Sequence, residues 1–309
     1  KTIPAEGTDG GRPKFPEDWV MTFDDINLPN TDADDPENYE IVKSLSLLNP
    51  ATKNDEPGPN DPELHYVRYR IKRASQGIGA QLPNGKFPKA VKHVKRQWEL
   101  TNQFGTITVD SIKVAGLMVP TAKAESGTAA PPPTDATHFK CYKVKPAKDT
   151  VTEQTPTGQG RKFDRSIQAL FQDQFDDCAT DLSFAGTAAA GKCLYRFLKP
   201  LELCNPVIKS EVVPPRETKA TIDGSTPTAA DSLLCYKIKV ASKIRSTTVA
   251  ALVGQSEGSR IVPAQTRHRR RLNISIAPGN RFPAPSRLDT KKAEMACIPT
   301  TVGVISPLP

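Results

Sequence analysis

Six cysteines are the residues best placed to do chemistry, and the chemistry their spacing points to is disulfide formation. Cys141 precedes Cys204 by 63 residues and Cys235 precedes Cys297 by 62. Six cysteines allow fifteen pairings, but two near-equal spacings select Cys141 with Cys204 and Cys235 with Cys297. Cys178 and Cys193 remain to close a Gly/Ala/Thr-rich loop. In the chain-entropy picture each long bridge contributes roughly 4 kcal/mol and the short one roughly 3 kcal/mol. Metal chemistry needs a tighter constellation: there is no C-x-x-C, and His65, His93, His138 and His268 are scattered, so neither metal nor cofactor is expected. Regularly spaced, even-numbered cysteines belong to an oxidising compartment, the periplasm or the outside of the cell.

Other candidate groups are weaker. Gly254-Gln255-Ser256-Glu257-Gly258 spells G-x-S-x-G, whose chemistry requires a strand, a sharp elbow and a helix. Residues 249–253 could supply the strand, but the residues after the motif do not start a helix, so no catalytic residue is assigned. Asn30-Thr31-Asp32-Ala33-Asp34-Asp35 places carboxylates at alternating positions, Asp32 and Asp34, with Asp35 beside them, like part of a calcium loop, yet the glycine and closing glutamate of such a loop are missing. Arg267, Arg269, Arg270 and Arg271 form the densest positive charge. No aromatic lies near them to stack on bases, so the readings are a solvated strand entry, a dock for acidic chain or a polyanion contact, not nucleic acid. Lys89, Lys92, Lys95 and Arg96 surround Val91, Val94 and Trp98 as the wet face of an amphipathic element. Asn273-Ile274-Ser275 is a formal glycosylation sequon.

The cysteines are carried by a stretch that occurs three times. T-H-F-K-C-Y-K-V-K (137–145) returns as L-H-Y-V-R-Y-R-I-K (64–72) and D-S-L-L-C-Y-K-I-K (231–239), and each is followed by a second signature: L-M-V-P (117–120), L-C-N-P (203–206) and A-C-I-P (296–299). Every copy alternates. Val67, Tyr69 and Ile71, then Lys140, Tyr142 and Val144, then Leu234, Tyr236 and Ile238 take the core face. Arg68, Arg70 and Lys72, with Cys141, Lys143 and Lys145 and with Cys235, Lys237 and Lys239, take the other, so each bridge ties a strand to a covering segment or sheet neighbour. In the first copy both cysteine positions are lost together, to Arg68 and Met118. Asn102-Gln103-Phe104-Gly105 and Asp173-Gln174-Phe175 mark turns with a buried Phe. The pattern H-F-K-C-Y-K-V-K, D-Q-F, L-C-N-P-V-I-K resembles a repeat domain of predicted secreted bacterial proteins. That resemblance implies a compartment and a repeat boundary, and it brings no assigned activity.

The expected fold is therefore mainly β: three tandem small antiparallel modules, sandwich- or barrel-like, two with an internal disulfide. They span residues 61–123, 136–209 and 231–299, joined by linkers 124–135 and 210–230 and followed by a tail, 300–309. A mean hydropathy of −0.46 with 29 prolines favours several small cores over one large one. Residues 1–60 read as an extended, Pro-rich acidic arm. They hold five Lys or Arg against thirteen Asp or Glu, a formal −8, whereas the rest of the chain carries 37 against 21, or +16. Arm and body attract one another, within or between molecules. No apolar run is long enough to span a bilayer, and the opening at Lys1 reads as a mature chain after signal-peptide cleavage.

The function expected is a non-catalytic extracytoplasmic assembly subunit: part of a filament, a surface layer or a periplasmic complex. Other protein subunits are the partners, engaged through Trp19, Phe23, Asp32, Asp34 and Asp35 of the arm, through the tail, and through Arg267, Arg269, Arg270 and Arg271. The alternative is a module array that binds surface carbohydrate or another polyanion.

Overall fold

The computed structural model describes residues 2–4, 20–28, 37–59, 61–74, 92–124, 129, 136–147, 163–175, 186–187, 190–213, 218–221, 231–260, 274–278, 286–290 and 293–307. Their strands are β1 (Thr2–Pro4), β2 (Val20–Asp25), β3 (Glu37–Leu48), β4 (Thr52–Lys53), β5 (His65–Arg73), β6 (Arg96–Asn102), β7 (Gly105–Ala124) and β8 (His138–Pro146). They continue with β9 (Gln168–Gln172), β10 (Cys193–Val213), β11 (Thr218–Thr221), β12 (Ser232–Val240), β13 (Ile274–Pro278), β14 (Ser286–Thr290) and β15 (Met295–Pro307). One short helix, α1 (Thr247–Val253), follows β12. All fifteen strands join one sheet, and every pairing is antiparallel.

The sheet closes on itself twice. Pairing runs β5–β7–β8–β10–β2–β3 and back to β5, and also β7–β8–β10–β12–β15–β6 and back to β7. Closure covers strand edges along the paired stretches. Each circuit has its own core. Met21, Phe23, Tyr39, Ile41, Val67, Tyr69, Ile71, Leu117, Val119 and Val207 fill the first. Trp98, Leu100, Val109, Tyr142, Val144, Tyr195, Phe197, Leu203, Leu234, Tyr236, Ile238 and Ile298 belong to the second. The Tyr/β-branched faces expected of the three opening strands are the buried ones, while Arg70, Lys72, Lys143, Lys145, Lys237 and Lys239 are exposed. Burial of Lys140 on the core face also follows the alternation.

Three long ladders share one register. β3–β5, β7–β8 and β10–β12 each contain eight residue pairs, interrupted after the third and after the fifth. In that common register Arg68, Cys141 and Cys235 are equivalent, as are Leu48, Met118 and Cys204. Each opening strand is flanked by the long strand before it and the one after it: β5 by β3 and β7, β8 by β7 and β10, β12 by β10 and β15. The strands of the three sequence copies are thus hydrogen-bonded to one another in a single sheet.

Residues 1–60 differ most from the expected arm. β2 and β3 pair within this chain, with β10 and β5, and β4 pairs with β9. β3 supplies the long strand that precedes β5, the role that β7 and β10 play for β8 and β12. Prolines obscured this strand in the sequence, yet Tyr39, Ile41 and the run to Leu48 alternate through a stretch free of proline. The tail is also paired in cis, as residues 301–307 of β15 run beside β6.

Around the G-x-S-x-G motif, residues 249–253, which could have supplied a strand, are helical. Those residues belong to α1, capped by the Ser246 side chain, which accepts from the Val249 N–H at 3.4 Å, and by Gly254 at φ 63°. The motif follows a helix and turns away through Ser256, whose carbonyl accepts from the Ser259 N–H at 3.2 Å. A nucleophile elbow has the opposite order.

Candidate functional site

Cross-strand neighbours in the common register converge on one small cluster. Cys141–Cys204 joins β8 to β10 and Cys235–Cys297 joins β12 to β15. Both are bridges between sheet neighbours. The Sγ atoms of Cys204 and Cys235 lie 3.9 Å apart, packed with Met118, Phe139, Leu48, Tyr66, Leu233 and Met295. Cys193 is also disulfide-bonded, and its expected partner Cys178 lies outside the described residues.

At the third junction, between β5 and β7, Arg68 stands opposite Met118. Its guanidinium reaches Glu202 in a two-point contact, Nε donating to Oε2 at 2.7 Å and Nη2 to Oε1. Both side chains are nearly buried. A charge-assisted fork of this kind is the strong form of the interaction. It needs Gly116, because a Cβ there would meet the Tyr69 carbonyl at 2.7 Å and Arg68 Nε at 3.2 Å. Cys141, Glu202 and Cys204 lie close enough together for metal ligation, but the two sulfurs are bonded to each other and the carboxylate is engaged by Arg68. This donor set offers no thiolate.

Above the cluster opens a cavity of about 670 Å³, within the size range of ligand sites. Its walls are residues 45–51, from the end of β3 onward, and residues 293–299, at the start of β15. Arg68, Glu202, Lys53, Asp173 and Tyr195 are also part of the lining. β3 is paired with β2 only over 37–40, and β15 with β6 only from 301. Residues 41–48 and 295–300 therefore each keep one edge without a ladder among the described residues. Six antiparallel pairings separate β3 from β15, so the two run in the same direction, and a strand entering between them would be antiparallel to both. Ser46 Oγ and Asn49 Oδ1 are buried in this wall without a hydrogen-bond partner, although Asn49 Nδ2 donates to Asp173 at 3.3 Å. Buried polar atoms are normally satisfied.

A second polar group is wholly internal. Asp25 is fully buried and accepts from Tyr142 Oη at 2.6 Å, Asn205 Nδ2 at 3.1 Å and the Asn27 N–H at 3.0 Å. Ser232 Oγ donates to Asn205 Oδ1 at 3.0 Å. Burial pushes the Asp25 carboxyl up from its ordinary value, against the charge of buried Lys140 and these donors. The network staples β2 to β8, β10 and β12.

Of the docking residues expected from the sequence, Phe23 is fully buried in the first core, 5.6 Å from the Tyr39 ring. It is a core residue and presents nothing to a partner. Trp19, Asp32, Asp34, Asp35, Arg267, Arg269, Arg270 and Arg271 lie outside the described residues. Arg96, expected on a wet face, is buried and donates to the Val94 carbonyl at 3.2 Å. The cavity walls were not legible in the sequence; in the structure they are marked by residues 41–48, which pair with β5 on one side and have no ladder on the other among the described residues.

No family model matches the chain, and neither a curated protein nor a solved structure matches it.

Proposed function

We propose that the protein is a non-catalytic extracytoplasmic assembly subunit, a triplicated and covalently clamped β scaffold that receives an extended segment of a second copy in the cleft between β3 and β15. The observation that carries this reading is the pair of unladdered edges running in one direction along a single cavity. An added strand would satisfy both edges at once, which is how β-augmentation gains its affinity. Disulfides and the lack of a helix long and apolar enough to cross a membrane, among the described residues, are compatible with the compartment. The equal registers of the three ladders support triplication, with bridges in two copies and an ion pair in the other.

Light scattering of the whole chain across a wide concentration range tests the reading, beside Ser46→Trp, which fills the cleft. The expected result is a multiple of the 33.6 kDa chain mass for the native sequence and a folded monomer for the variant. A native chain that stays monomeric throughout, or a variant that assembles equally well, overturns it.

A further inference from the structure

Three cross-strand pairs occupy the same position of the three ladders and consist only of cations: Lys43 opposite Arg70, Lys113 opposite Lys143, and Lys199 opposite Lys237. Each pair directly follows the first interruption of its ladder. All six residues are exposed, and among the described residues none meets a carboxylate or another hydrogen-bond partner. Like charges directly opposite one another destabilise a sheet, each pair by an amount on the order of 0.2–1 kcal/mol. A single such pair would be unremarkable on a basic surface. Three at one register position, while the neighbouring position varies, ask for a use.

The neighbouring position shows what neutralisation looks like. Glu40 faces Lys72 and reaches it at 2.7 Å, and Asp110 faces Lys145 at 3.6 Å. In the third ladder the equivalent residue is Arg196, which faces Lys239. Arg196, Lys199, Lys237 and Lys239 thus make a block of four cations across β10 and β12, and Arg196 Nε is buried without a hydrogen-bond partner.

We infer that this block on the β10–β12 ladder binds an anionic polysaccharide, each cation pair clasping one sulfate or carboxylate group, and that the equivalent pairs on the other two ladders are weaker copies of the same site. Side chains on directly opposed residues start about 5 Å apart, so two long cationic arms can close on one anion and convert their mutual repulsion into attraction. The large hydrophobic residues that are exposed among the described ones are Ile26 and Val94, so no aromatic platform for stacked bases adjoins the block, which disfavours a single-stranded nucleic acid. The site faces outward on its own ladder and does not depend on assembly through the cleft.

The test is binding of dextran sulfate by the whole chain, measured by calorimetry over a series of salt concentrations, with uncharged dextran and duplex DNA as the other probes. For Lys199→Gln with Lys237→Gln we expect a loss of affinity of about tenfold and a salt slope shallower by roughly two. Lys43→Gln with Arg70→Gln is expected to lose clearly less. Because the first variant removes a repulsion, its thermal midpoint without ligand should be equal to or above that of the native chain, which separates lost binding from lost folding. Unchanged dextran sulfate affinity in that variant, equal binding of uncharged dextran, or equally tight binding of duplex DNA would each overturn the inference.

Discussion

Two junctions of this sheet are covalent and the third is ionic, although all three occupy the same place in the register. Between β8 and β10 and between β12 and β15 the facing residues are cysteines joined to each other. Between β5 and β7 the facing residues are Arg68 and Met118, and the arginine closes the cluster by crossing to Glu202 on β10. The covalent junctions restrict the unfolded chain and depend on redox state. The ionic junction depends on burial, on geometry and on Gly116. The same register position is therefore closed in two ways: by a disulfide at two junctions, and at the third by a cation that finds its counter-ion on β10.

Breaking the covalent side has the largest expected effect. Cys141→Ser with Cys204→Ser should lower unfolding stability by about 4 kcal/mol, and Cys235→Ser with Cys297→Ser by a similar amount, as read from urea unfolding of the oxidised proteins. Next comes the ionic side. Glu202→Gln leaves a nearly buried guanidinium uncompensated and should cost about 3 kcal/mol, whereas Arg68→Met with Glu202→Met removes both charges and should recover most of the loss. If the single and double variants were equally unstable, the salt link would not be what closes this junction.

Much of this was legible in the chain. The alternation of the three opening strands gave their buried faces, the equal cysteine spacings gave the two long bridges, and joint loss at Arg68 and Met118 marked an equivalent, unbridged position. What escaped was the partner strand on the other side. β3 lies in a Pro-rich, acidic region whose composition argues for an arm, yet its strand is specified by long-range pairing to β5, which local propensity does not encode. The same blindness hid Lys43, Lys113 and Lys199, because the cations they face, Arg70, Lys143 and Lys237, are 27 to 38 residues away along the chain and only the ladder brings them together. Glu202 was invisible for a related reason: its partner Arg68 is 134 residues distant. Residues 249–253 could have been strand or helix from sequence, because a short apolar run fits either period, and the Ser246 cap decides the matter locally.

The ionic junction should also be the pH-sensitive one. His65, at the start of β5, pairs in register with Thr121 of β7, and its Nδ1 is buried without a hydrogen-bond partner. Burial, with the charge of Lys123, lowers its pKa from 6.5 to about 4. Between those values the unfolded chain binds the extra proton, so the contribution of His65 to stability is complete above pH 6.5 and is lost as the pH falls toward 4. The window is worth roughly 2 kcal/mol once solvent screening is allowed for. Unfolding measured at pH 4.5 and pH 7 should differ less in His65→Gln than in the native chain, with other titrating groups, Asp25 among them, common to both. An identical difference in the two proteins would place the pH sensitivity elsewhere.

The smallest expected effect is the sharpest test of equivalence. Arg68→Cys with Met118→Cys places thiols where the register puts Cys235 and Cys297 in the β12–β15 ladder, and Glu202→Gln removes the charge left behind. If the three junctions are one structural position, the new pair oxidises without rearrangement, and thiol titration finds no free cysteine. A bridge closing the 50-residue separation from 68 to 118 is worth about 4 kcal/mol in the chain-entropy picture, against about 3 kcal/mol for the ion pair it replaces, so the net gain should be only about 1 kcal/mol. Two persistent free thiols would mean that the β5–β7 junction has drifted from the geometry of the other two. Arg68 would then be holding apart strands that the cysteines elsewhere hold together.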